Sequence, residues 1–141
     1  MRLPAIASGL ASALALAMAA APALAEPLTY VCLLTQGAKE GTWISPQVVI
    51  LHDPAKRLVV VNDPVVMAFG GQPVAGEVKV DNAKRITFGW DVREIVAVGG
   101  RKAMTMRYRG TFVKATGAFS LAASPLGYSN GFEGRGTCVR R

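Results

Sequence analysis

The chain reads as an all-β protein: a small antiparallel up-and-down barrel of about eight strands closed by one disulfide. A two-sheet β-sandwich is the alternative. Three observations carry this expectation. Apolar and polar residues alternate with period two over most of the chain, the pattern of strands with one face in a core and one in water. Turn-forming residues interrupt these runs at intervals of roughly 8–12 residues. The only two cysteines, Cys32 and Cys138, lie near opposite ends of the sequence.

Residues 1–25 stand apart from the fold. "MRLPAIASGLASALALAMAAAPALA" has a basic start at Arg2, an Ala/Leu-rich middle and small residues at Ala23 and Ala25. That is the layout of a secretory signal peptide cleaved between Ala25 and Glu26. Residues 26–141 are then expected to form a single domain in the periplasm or outside the cell. No later apolar run approaches the roughly 18 residues of a spanning helix, so the cleaved chain is not expected to span a membrane. In an oxidising compartment Cys32 and Cys138 are expected to pair.

The expected strands are 28–34, 46–52, 58–67, 75–80, 85–91, 102–113, 117–123 and 132–139. The second ends at His52, read as a histidine at the surface edge, before the turn "HDPAKR". In the third, "LVVVNDPVVM" is apolar on both faces, a central or kinked strand in which Pro64 limits pairing. After "GGQP", Val78 and Val80 oppose Glu77, Lys79 and Asp81. "DNAKR" leads into Ile86, Phe88 and Trp90, which oppose Arg85, Thr87, Gly89 and Asp91. Beyond "GGRK", Met104, Met106 and Tyr108 oppose Thr105, Arg107 and Arg109. "KATG" and "SPLGYSNG" bracket the seventh strand. With an even strand count, the first and last strands meet antiparallel and the cysteine bridge pins the seam.

The last strand contains "GFEGRG". A phosphate-cradling loop needs a helix after its glycines, and only five residues follow Gly136. Read with period two, Phe132, Gly134, Gly136 and Cys138 share the inner face, where the glycines admit bulky neighbours such as Trp90 or Tyr30. Glu133, Arg135, Thr137 and Val139 face outward.

Catalytic sets are thin, and no catalytic residue, metal ligand or cofactor is assigned. His52 is the only histidine, and no serine sits in a nucleophile elbow. Asp91 and Glu94 form the nearest carboxylate pair for a small hydrolase. Tyr30, Trp90 and Tyr108, with Trp43 and Tyr128, either fill the core or line a cavity at the barrel mouth. Arg107, Arg109 and Arg135 form a candidate outward patch for carboxylate or phosphate partners. The net charge of +7, of which Arg2 supplies one, is spread along the sequence. Nucleic acid is not an expected partner, since no recognised module or interleaved aromatics accompany the basic residues.

The opening "YVC" at Tyr30–Cys32, a cysteine near the chain end and "YSNG" at 128–131 resemble small periplasmic β-barrels, among them the C-type lysozyme inhibitor family. "ITFGWD" and "GRGTC" are similar to uncharacterised exported proteins of Gram-negative bacteria. The resemblance implies a small barrel and a binding or inhibitor role. The chain departs from the inhibitors at Ser124–Pro125–Leu126–Gly127, where a Ser-Gly pair is usual, so no inhibitory residue is carried over. The sequence therefore points to a non-catalytic binding or inhibitor module for an anionic protein, envelope polymer or small ligand. A carboxylate-dependent hydrolase and an envelope structural protein are the alternatives.

Overall fold

In the computed structural model, which describes residues 19–96 and 103–141, eight antiparallel strands follow one another around a closed barrel. They are β1 (Leu28–Gln36), β2 (Gln47–Asp53), β3 (Leu58–Asn62), β4 (Val74–Asp81), β5 (Arg85–Val96), β6 (Ala103–Val113), β7 (Ala118–Pro125) and β8 (Phe132–Arg140). Each pairs with its sequence neighbours, and β8 returns to β1. The barrel, rather than the sandwich, is the architecture. Closure leaves no strand edge exposed for pairing with another chain. Most of the expected cleavage segment and the "GGRK" turn lie outside the described residues. Residues 19–27, which are described, are exposed and form no regular element.

One expected strand is corrected. The run 58–67 ends as a strand at Asn62, and Pro64–Gly70 forms a short helix, α1. Asp63, in extended conformation, caps it: its Oδ1 accepts the Val66 amide at 2.8 Å. Pro64 then occupies the first turn, where its missing N–H costs nothing. Gly71 ends the helix at φ 70°, its amide bonded to the Met67 carbonyl. Val65 and Val66 are buried, so α1 closes over one end of the barrel.

Period-two alternation decides the interior. Tyr30, Cys32 and Leu34 of β1 meet Val48 and Ile50 of β2, Val59 and Val61 of β3, and Ile86, Phe88 and Trp90 of β5 in one core. Tyr30 stands edge-on to both Phe88 and Phe112, each at 5.2 Å between ring centres. Trp90 and Tyr108, partners across β5 and β6, stack with planes 2° apart. His52 belongs to this interior rather than to the surface edge. It is in phase with Val48 and Ile50, is buried, and meets the Phe88 ring edge-on at 5.6 Å. Burial lowers its pKa, against the smaller opposing effects of Asp81 and Asp53.

The seam is built as the spacing predicts. Cys32 faces Cys138 in the β1–β8 register and is bonded to it, across 106 residues of sequence. The inner-face glycines of β8 make room for Leu34 and Ile44, and for the β1 backbone itself, rather than for Trp90 or Tyr30. Among the described residues no helix is long and apolar enough to cross a membrane. The outward positions of the wall include Glu77, Lys79, Arg107, Arg109, Glu133 and Arg135, all exposed.

Candidate functional site

The two ends of the barrel differ. At one end the β2–β3, β4–β5 and β6–β7 connections are tight turns. The longer described connections, 37–46, 63–73 and 126–131, gather at the other. This loop end presents Met67 and Phe69 of α1 and Leu126 and Tyr128 of the β7–β8 loop, all about half exposed. Single exposed apolar residues are ordinary, whereas here four share one end of the barrel.

Trp43 lies at its centre. The loop that carries it is tied back on itself: the Thr42 hydroxyl approaches the carbonyls of Lys39 at 2.7 Å and Ile44 at 3.1 Å, and the Lys39 amide donates to the Ile44 carbonyl. Ile44 and Ser45 are buried beneath. The half-buried indole stacks on Phe69, with ring centres 5.5 Å apart. From below, the Tyr108 hydroxyl donates to the Trp43 carbonyl at 2.9 Å. Burial, with the nearby Asp63 charge, raises the Tyr108 pKa, so this donor keeps its proton.

Two hollows flank the indole. One, of about 340 Å3, lies between the Trp43 loop and α1, against Pro64, Val65 and Phe69. The other, of about 170 Å3, lies against Met104, Pro125, Tyr128 and Phe132. The larger reaches the lower range of small-molecule pockets. Apolar and aromatic surface with methionine at its edge suits varied apolar groups, because the thioether chain adapts its shape.

Two buried polar atoms in the barrel are unpartnered among the described residues. Asp63 is buried, and its Oδ2 has no hydrogen-bond partner among the described residues. The same holds for Trp90 Nε1. Burial raises the Asp63 pKa, partly offset by the helix amides of Val66 and Val65.

The residues singled out from sequence fall in three places. Tyr30, Trp90 and Tyr108 are buried at 3%, 3% and 1% exposure and belong to the core; Trp90 and Tyr108 also border a depression on the wall, and the rings at the mouth are Trp43 and Tyr128. The arginines occupy the outer wall. Arg107 faces Asp91 across β5 and β6 and grips both its carboxylate oxygens, at 3.1 and 3.3 Å, while Arg93 approaches the same group at 3.8 Å. Arg109 and Arg135, on strands separated by β7, share a hollow of about 200 Å3 over Ser120 and Ala122. Arg107 and Arg109 also line a wider depression of about 600 Å3, with Lys79 lying over Gly89. Arg109 thus borders both hollows, with Arg107 at one and Arg135 at the other.

The carboxylate pair is divided by a β-bulge. Asp91 is held by arginines on the wall, whereas Glu94 sits two residues beyond Val92 at φ 58°, where the β5 register shifts. Among the described residues no three His, Cys, Asp or Glu side chains are grouped to hold a metal ion. Sequence reasoning missed the pairing of Trp43 with Phe69, because Phe69 reaches the mouth only on α1. No protein-family model, curated protein or solved structure matches the chain.

Proposed function

We propose that this chain is an exported, non-catalytic binding module that captures an apolar or aromatic group at the loop end of a packed barrel. The observation that carries the reading is the position of Trp43: held by a tied loop, stacked on Phe69, and flanked by two hollows. A rigid aromatic anchor in a pre-formed site loses little conformational freedom on binding, which favours recognition. Export is supported by the Cys32–Cys138 bridge, which persists in an oxidising compartment such as the periplasm. The likeness of "YVC" and "YSNG" to inhibitor-type periplasmic barrels favours a partner protein that inserts an apolar side chain beside Trp43.

The test uses N-phenyl-1-naphthylamine, a neutral aromatic dye that brightens in apolar surroundings. One site is expected, and Trp43→Ala should weaken binding at least tenfold while Tyr30→Phe leaves it unchanged. Dye binding that survives Trp43→Ala unaltered, or no binding to the folded protein, overturns the reading.

A further inference from the structure

The end opposite the Trp43 site has its own chemistry. Each element that turns or ends there carries cations: Lys56 and Arg57 between β2 and β3, Lys84 and Arg85 at the β4–β5 turn, Lys114 after β6, and Arg140 and Arg141 at the end of β8. Spread along the sequence they look like scattered solubilising charge. Up-and-down topology gathers them around one rim, because every second connection returns to the same end.

The acidic residues at this rim do not neutralise it. Asp53 pairs with Lys56 at 3.6 Å, and Asp81 with Lys114 at 2.7 Å. Arg57, Lys84, Arg85, Arg140 and Arg141 are exposed and have no carboxylate partner among the described residues.

These cations are held by rigid backbone. Asn82 Oδ1 accepts the amides of Lys84 and Arg85 at 2.9 and 3.0 Å. Arg141 exchanges both backbone bonds with Thr29, at 2.8 and 2.9 Å. Arg140 lies over the Phe112 ring, its guanidinium carbon 5.2 Å from the ring centre. The echoed turns "DPAKR" and "DNAKR" sharpen the point. Turn formation accounts for Asp, Asn and Pro, but it does not call for two cations after them. Exposed Leu58 and Val113 adjoin the basic turns, which sets apolar side chains beside cations as interfacial lipid binding requires.

From this arrangement we infer that the basic rim docks the protein on an anionic phospholipid surface, with the Trp43 end directed away from it. A ring of cations around a blunt end matches a flat array of phosphates better than a single extended polymer, which needs a groove. Attraction of this kind adds up over cations near the surface and is screened by salt. The inference is independent of the loop-end reading and stands or falls separately.

The test is co-sedimentation of the exported, oxidised protein with vesicles of phosphatidylcholine alone and with about one-third phosphatidylglycerol. Binding is expected only to the anionic vesicles, and about 0.5 M salt should abolish it. Lys84→Gln combined with Arg85→Gln should weaken it tenfold or more, and Arg57→Gln alone should weaken it less. Arg93→Gln, on the wall in the loop-end half of β5, should leave it unchanged, with all variants melting like the parent. Equal binding to neutral vesicles, no loss in the rim variants, or an equal loss in Arg93→Gln overturns the inference. So does tight binding to soluble polyphosphate by a protein that ignores the vesicles.

Discussion

Gly136 and Leu34 face each other across the barrel seam with no room for a side chain between the strands. A β-carbon on Gly136 would lie 2.6 Å from the Leu34 α-carbon and 2.7 Å from the Leu33 carbonyl carbon. Both obstacles are backbone, which cannot rotate aside. The register of β1 shifts just beyond this point, between Leu34 and Gln36, so the close approach coincides with the bend of the strand. Gly136→Ala should therefore destabilise the fold by about 2–3 kcal/mol, the upper part of the usual cost of overpacking. Gly131→Ala, whose β-carbon would meet only ordinary contacts at 3.4 and 3.6 Å, should change stability little. Denaturant unfolding of the two variants checks the contrast.

The bridge beside this contact should matter in proportion to the chain it encloses. With Cys32 and Cys138 separated by 106 positions in sequence, the chain-entropy model assigns it about 4–5 kcal/mol. Reduction should lower the unfolding midpoint steeply while leaving a barrel core able to fold in the cold. Intact mass of the native protein should be two hydrogens below the dithiol form. Two free thiols in the folded protein would contradict the seam.

Asp63 gives a pH dependence with a defined sign. Burial raises its pKa in the folded state above the ordinary value of 3.8, so over that window the folded chain binds more protons than the unfolded one. Its contribution is thus most favourable at low pH and is lost as pH rises through the folded pKa. Asn at this position keeps the cap acceptor without the charge. Asp63→Asn should gain stability relative to the parent on going from pH 4 to pH 7, as read by unfolding at both values. Asp63→Ala should forfeit the cap, about 1 kcal/mol. A gain that shrinks with rising pH would contradict the assignment.

Strand alternation was legible wherever one face was apolar and the other polar, as in Ile86–Thr87–Phe88 or Met106–Arg107–Tyr108. The seam was legible from Cys32, Cys138 and the glycines in phase with them. Helix α1 was not, because Asp63–Pro64 and Gly70–Gly71 punctuate a turn–strand–turn as readily as a capped helix. Seven residues are also too few for a 3.6-residue period to emerge. The signal that distinguished them was Pro just inside the start and Gly just past the end. His52 carried a usable signal as well, being in phase with Val48 and Ile50. The mouth was hidden for a different reason: Trp43, Phe69 and Tyr128 lie on separate connections that only closure of the barrel brings together. The basic rim was present in the echo of "DPAKR" and "DNAKR", but its meaning depends on both turns falling at the same end.

The most direct test follows the two indole N–H signals by NMR while N-phenyl-1-naphthylamine is added. A packed interior with recognition at the loop end predicts that the Trp43 signal shifts progressively and that Trp90, with the inward methyls of Val48 and Leu121, stays fixed. Movement of Trp90 and those methyls while Trp43 remains still would place the ligand inside the barrel and contradict the account.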